Sequence, residues 1–283
     1  MLTAVDRVQV VVHDRVRIAD AYRRLLDAEV VREDRVASLA ARRTVLRLGD
    51  SEVELLEPDG AGRVAQFLSD TKGGLYAAGF ATEQFARLKA HLAERGASAI
   101  EVDDRLQLAA ETLQLPGLRA VLSADSERQP AGLAKHLYEV TLLVADSASA
   151  TGRAADGFGL EASHFVPIRS EQFGYDGTLT LFHPERLDRI EIITPTDPRK
   201  TMGRFFAKRG PSLYMCFFEA DELDPIVARL RAHAPNDWTE SPGGDSLFIH
   251  PNALGGLMIG VSRTTAAWSW SGHPDWVRPR ARA

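Results

Sequence analysis

Cysteine is almost missing: Cys216 is the only one in 283 residues. A single cysteine excludes an internal disulfide and any multi-cysteine metal centre. Its apolar strand setting reads as a buried, inert thiol rather than a nucleophile. Also missing are an apolar run of about 18 residues and a charged-then-apolar leader, so neither membrane nor secretion is indicated and a cytoplasmic protein is expected. A large excess of either charge is missing too. The net charge is −5, with 26% charged and 45% hydrophobic residues, which gives no reason to expect nucleic acid. No G-x-S-x-G elbow, zincin pair or Walker pattern occurs. The Gly-rich pieces (Gly73-Gly74, GFGL from Gly157, Gly255-Gly256) lack the strand-to-helix context of a phosphate loop. Nucleophilic catalysis has no candidate.

What is present is a stretch that occurs twice. Residues 52–80 contain VELLEP, a short helical patch with FLSD, and GGLYAAGF. Residues 189–218 contain RIEIITP, GRFFAKRG and PSLYMCFF. Glu54 and Glu191 fall 137 residues apart, and each precedes a Leu-Tyr pair by 21 or 22 residues. That period exceeds the solenoid range, so the repeating unit is a whole domain. The length independently favours two domains, each able to bury its own core.

Residues 8–12 (VQVVV) read as a β-branched strand ended by Asp14. Ile18, Tyr22, Leu25 and Leu26 then recur at helical spacing. Two or three strands follow over 30–57, broken at Gly49-Asp50 and stopped by Pro58. The order restarts with a small-residue strand at 75–81, a helix at 83–95 capped by Gly96, and strands near 99–102, 106–113 and 118–123. Residues 124–135 (ADSERQPAGLAK) read as the linker. The second half gives a strand at 137–144, a weak helix at 148–158 and three strands across 162–193. It continues with a strand at 213–218, a helix at 223–233 with Pro225 in its first turn, and strands near 246–250 and 257–261. Trp268, Trp270 and Trp276 follow without a period. Three tryptophans are costly to expose, so this tail is expected to pack onto a domain or a neighbouring subunit.

Four strand–helix–strand–strand–strand units paired two and two, carrying VELLEP…VAQFL…GGLYAAGF and RIEIITP…GRFFAKRGPSLYMCFF, resemble the vicinal-oxygen-chelate superfamily. Its members include glyoxalase I, methylmalonyl-CoA epimerase, bleomycin and fosfomycin resistance proteins and extradiol dioxygenases. The resemblance runs from about Val5 to Ser262 and is closest to the epimerase-like branch, whose closing hairpin is similar to FIHPNALGGLMIGV (248–261). It implies an α+β fold of two tandem barrels, each from two βαβββ units. Glyoxalase-like domains are then expected at 1–125 and 136–262, with a Trp-rich tail at 263–283.

Metal-using members supply ligands from the opening, fourth, fifth and eighth strands of one barrel: His, Glu or Gln, His, and Glu. There a divalent ion chelates two adjacent substrate oxygens and stabilises an enolate-like charge. Carried over by that resemblance, the first cup has Arg7, Glu54, Ala77 and a position near Val121. The second has Glu139, Glu191, Met215 and Gly260. One ligand in four survives in the first; in the second, Met215 suits a hard ion poorly and Gly260 has no side chain. No cofactor is expected, and a divalent metal only through a non-standard set such as Glu139, Glu191 and His164. The two His and one Glu of an iron-dependent extradiol site are not there.

Strand alternation sorts the side chains. Arg7, Gln9 and Val11 share one face, against Val8, Val10 and Val12 on the other. Glu139, Thr141 and Leu143 share a face, as do Glu54 and Leu56, and Glu191 and Ile193. Arg7 with Glu54 either binds a substrate carboxylate or hydroxyl, or is an ion pair filling a vestigial cavity; the ion pair is the plainer reading. Glu139 and Glu191 in one cavity cannot both ionise cheaply, so they either share a proton as acid and base or hold a cation. The alternative is that each is solvated or paired with an arginine. His164 completes either arrangement if its side chain points inward. His183 and His250, each before a proline, read as turn elements. His13, His91, His233 and His273 read as surface residues, and Met215 as cavity packing.

The leading expectation is a glyoxalase-like small-molecule enzyme of isomerase, epimerase or lyase type. It works by carboxylate proton transfer next to a carbonyl in the second cup. Glu139 and Glu191 are the catalytic candidates; Arg7, Glu54, Thr141, His164, Met215 and Phe217 are the binding candidates. The expected partner is a small oxygen-rich metabolite, and the chain acts as a monomer or homodimer. Two alternatives stay open. One is a non-catalytic protein of the bleomycin-resistance kind that sequesters an aromatic or apolar ligand against Met215, Phe217, Leu143 and Ile193. The other is a divergent metal-dependent lyase or dioxygenase with rearranged ligands.

Overall fold

The computed structural model describes residues 1–263, 267–271 and 275. Its first half runs β1 (Ala4–Val11), α1 (Arg15–Leu26), β2 (Glu29–Val36), β3 (Ala41–Leu48), β4 (Ser51–Pro58), α2 (Arg63–Thr71), β5 (Gly74–Thr82), α3 (Phe85–Glu94), β6 (Ala99–Val102), β7 (Arg105–Leu108) and β8 (Ala120–Ala124). The second half runs β9 (His136–Leu143), α4 (Ser147–Phe158), β10 (Val166–Ser170), β11 (Tyr175–Leu181), β12 (Arg189–Pro195) and α5 (Thr201–Arg209). It closes with β13 (Ser212–Ala220), α6 (Asp224–His233), β14 (Trp238–Glu240), β15 (Ser246–Ile249) and β16 (Met258–Arg263).

Local chemistry sets these elements. Asp14 accepts a hydrogen bond from the Arg17 N–H and starts α1, and Asp146 accepts one from Ser149 N–H and starts α4. Ile18, Ala19, Tyr22, Leu25 and Leu26 form the buried stripe of α1, which stops at Asp27 in the left-handed conformation. Pro225 sits in the first turn of α6, where no backbone donor is needed.

The strands form two eight-stranded sheets, ordered β2-β3-β4-β1-β5-β8-β7-β6 and β10-β11-β12-β9-β13-β16-β15-β14. The second order is the first with every strand number raised by 8, so the duplication inferred from the sequence is a duplication of topology. This is the expected α+β architecture of tandem half-barrels. By compactness, one region gathers Met1–Val5, Ala77–Ser126 and Glu139–Tyr214, and another Asp6–Tyr76, Glu127–Tyr138 and the described residues from Met215 onward.

Three expectations need amendment. Residues 162–164 form a short 3-10 turn, so His164 precedes β10 instead of lying in a strand. The strand placed at 106–113 ends at Leu108, because Thr112 and Gln114 turn back onto Ala109 and Glu111 carbonyls, each at 3.1 Å. The stretch between the halves is not loose. Gly49 exchanges two backbone bonds with Ala131 (2.6 and 3.0 Å), Leu133 N–H donates to Leu26 (2.9 Å), and Lys135 N–H donates to Glu219 (2.7 Å). Gly132 passes at φ +78° so close that a Cβ there would lie 2.8 Å from the Leu26 carbonyl oxygen. In the tail Trp268 is buried; the Trp270 side chain, His273 and Trp276 lie outside the described residues. No described helix is long and apolar enough to cross a membrane.

Candidate active site

β9 and β12 run parallel, with Glu139 opposite Arg189 and Thr141 opposite Glu191. Alternation then sends Glu139, Thr141 and Leu143 to the same face as Arg189, Glu191 and Ile193. The side chains meet there. Arg189 Nε donates to Glu139 Oε2 at 2.6 Å, and Arg189 Nη1 to the Leu187 carbonyl at 3.4 Å. Thr141 Oγ1 donates to Glu191 Oε2 at 2.6 Å. Tyr175, on β11 and paired with Pro195, is hydrogen-bonded to Glu191. Glu139 and Glu191 are 3% and 7% exposed, and Thr141 is fully buried.

Burial and the nearby Glu139 charge push Glu191 up to about 8; Thr141, Arg189 and Tyr175 oppose the rise without cancelling it. The Tyr175 hydroxyl is driven far above its ordinary value, first by burial and then by the Glu191 and Glu139 charges. Burial and the neighbouring Glu139 thus favour the protonated form of Glu191, while Glu139 is the one bonded to the Arg189 guanidinium. Next to it lies an apolar cluster. Leu143, Tyr175, Ile193 and Met202 form its centre, with Phe205, Phe206 and Tyr214 among the half-buried residues packed on it.

The duplicated position in the other compact region is chemically closed. Glu54 is wholly buried and receives Gln9 Nε2 at 2.8 Å and Arg43 Nη1 at 3.2 Å, with Arg7 Nη1 at 3.8 Å. Arg43 also grips Asp34 with two bonds, at 2.9 and 2.7 Å. Arg7 is bonded twice to Asp6, which also receives Arg128 Nη2 at 2.7 Å. Burial alone would raise the Asp6 carboxyl, but Arg7 and Arg128 outweigh it and hold it below the usual range. Arg7 and Glu54 are thus members of an internal ion network.

Met215 and Phe217, on β13, fall in the other compact region. Phe217 lies opposite Gly260 on β16, and a Cβ at 260 would stand 2.2 Å from its ring. The ring packs edge-on to Phe248, with centroids 5.7 Å apart, and lies 6.0 Å from Tyr138. His164 stands 6.3 Å from the His183 ring. His183 Nδ1 accepts the Glu185 N–H at 3.1 Å, as its turn reading implies.

These residues do not fit the superfamily's divalent ion. Arg7 is a cation where a donor is needed, Ala77 and Val121 carry no donor, Gly260 has no side chain, and Glu54 is held by two arginines and Gln9. Among the described residues no three His, Cys, Asp or Glu side chains come together to hold an ion, so the set Glu139, Glu191 and His164 is not assembled. Sequence reasoning missed Arg189, Tyr175, Gln9 and Arg43. Arg189 was findable, since it stands two residues before Glu191 and shares its face.

The second sheet thus carries Glu139 and Glu191 on one face, and no group of three ion-holding side chains stands among the described residues. Residues 6–113 match the Glyoxalase/Bleomycin resistance protein/Dioxygenase superfamily, so the first half carries a domain of that superfamily. A triple mutant of 4-hydroxymandelate synthase from Streptomyces coelicolor is similar over 93% of both chains, at 13% identity and a TM-score of 0.71. A xylose isomerase-like TIM barrel/4-hydroxyphenylpyruvate dioxygenase fusion protein is similar over 93% of this chain and 49% of its own, at 11% identity and a TM-score of 0.63. These likenesses show the fold alone. Methylmalonyl-CoA epimerase from Mycobacterium tuberculosis is 24% identical over 46% of this chain and 89% of its own, with a TM-score of 0.39. No curated protein matches the sequence.

Proposed function

We propose that the chain is a glyoxalase-like enzyme of isomerase, epimerase or lyase type that moves a proton at a carbon next to a carbonyl. The observation that carries this reading is the unequal pair on one sheet face: Glu139 bonded to Arg189, and Glu191 bonded to the Thr141 hydroxyl in a buried setting that favours its protonated form. Glu139, as a carboxylate, takes the carbon-bound proton; Glu191 gives its own to the carbonyl oxygen, leaving an enol. Return of a proton to carbon, or expulsion of a leaving group, completes the reaction. Thr141 and Tyr175 orient Glu191. The substrate is a small oxygen-rich metabolite. Two glyoxalase-like domains at 1–125 and 136–262, the tail beyond them, and action as a monomer or homodimer belong to the same proposal. The buried Cys216, outside any disulfide, suits a cytoplasmic setting.

Deuterium uptake tests it. The protein is incubated in D2O with small 2-oxo acids, α-hydroxy ketones and 2-methyl-branched acyl thioesters, and uptake beside the carbonyl is followed by NMR. At least one class should exchange, and Glu191→Gln should slow exchange by about 10²–10⁴-fold. Exchange that survives the substitution removes Glu191 from the chemistry. A second reading has its own support: the aromatic cluster of Tyr175, Phe205, Phe206 and Tyr214 suits a sequestering protein for apolar ligands. Binding of an aromatic probe without exchange of any class would favour it.

A further inference from the structure

Two like carboxylates in one dry site share a proton, and nothing in their chemistry says which one keeps it. Here one cation lies directly across from one of them. Arg189 faces Glu139 in the parallel register, is 3% exposed, and reaches Glu139 Oε2 at 2.6 Å through Nε. Its Nη1 is bonded to the Leu187 carbonyl two residues back, which fixes the plane of the guanidinium. Glu191 is met by hydroxyls instead, from Thr141 at 2.6 Å and from Tyr175. Hydroxyls serve a carboxylic acid and a carboxylate alike, because each can donate or accept. The titratable and charged groups named around Glu191 are Glu139, Arg189 and Tyr175; Leu143 and Ile193 are the apolar neighbours on the same face.

We propose that Arg189 is the positioning residue of this site: by holding Glu139 as its ion-pair partner, it leaves Glu191 as the one acid that carries and releases the exchangeable proton. This rests on the acid–base reading above and goes beyond it, because it states why the two carboxylates differ and which residue makes them differ. The guanidinium touches no reacting atom; it acts through Glu139. A merely structural arginine would hold the strands together without assigning the proton.

The test uses the full chain and no substrate. Infrared spectra near neutral pH distinguish a protonated carboxyl from a carboxylate, and subtraction of the Glu191→Gln spectrum assigns the band. The unaltered protein should show a Glu191 acid band. Arg189→Lys, which keeps a cation beside Glu139, should retain it. Glu139→Gln is isosteric and removes the negative charge that the guanidinium offsets; the Arg189 charge then acts on Glu191 alone, and the acid band should be lost. Arg189→Gln, if folded, should add a second acid band as Glu139 also takes a proton. A band that persists in Glu139→Gln, or one that is absent from the unaltered protein, overturns the assignment. If the bands behave as stated while no probe exchanges deuterium, the positioning role stands and the proposed enzymatic function fails.

Discussion

Replacing Glu191 by Gln should make the protein more stable at alkaline pH while leaving it nearly unchanged in acid. Folded Glu191 keeps its proton up to about 8, whereas an exposed glutamate in the unfolded chain releases it near 4.5. Between those values the folded state holds more proton than the unfolded one, so stability falls as pH rises. Below the lower value both states are protonated and the penalty is absent; above the upper value both are ionised and it is complete. At about 1.4 kcal/mol for each pH unit, the full gap corresponds to about 5 kcal/mol, and relaxation or water entry reduces it to about half. Glutamine keeps the shape and still accepts the Thr141 hydroxyl, but it never ionises. Urea unfolding of both proteins at about pH 5, 7 and 9 reads the difference, and groups common to both cancel. The variant should match the parent within about 1 kcal/mol at the acid end and exceed it by about 2–5 kcal/mol at the alkaline end. Parallel stabilities across the range would show that Glu191 is not held protonated, and the acid–base assignment would fall with it.

Two further outcomes concern the other compact region. Glu54→Ala leaves Arg7 and Arg43 buried without their shared carboxylate, so it should lower the unfolding free energy by about 3–5 kcal/mol in denaturant titration. Gly132→Ala forces a side chain onto a positive φ and into the Leu26 carbonyl, and should cost about 1–3 kcal/mol, read as a lower melting temperature.

Much of this molecule is legible without coordinates. The recurrence of Glu54 at Glu191 locates the duplicated sheet, because two copies of one topology repeat their spacing. Alternation alone puts Glu139, Thr141 and Glu191 on faces that meet, since a strand leaves a side chain only two directions. What escapes is whatever depends on register between distant strands. Tyr175 reaches Glu191 because β11 pairs Tyr175 with Pro195, and that register follows from turns that composition does not specify. Arg43 reaches Glu54 for the same reason, with β3 placing it opposite Leu56. Residues 124–135 read as a linker because their composition is polar and carries Pro and Gly. Their backbone nevertheless pairs with Gly49, Leu26 and Glu219, partners that no local pattern announces.

The aromatic ring resting on Gly260 limits what that position can carry. Any route that places a ligand at 260 meets the Phe217 ring 2.2 Å away before the new side chain is even complete. A side chain at 260 therefore also needs the Phe217 ring moved or replaced, and that change alone supplies no donor.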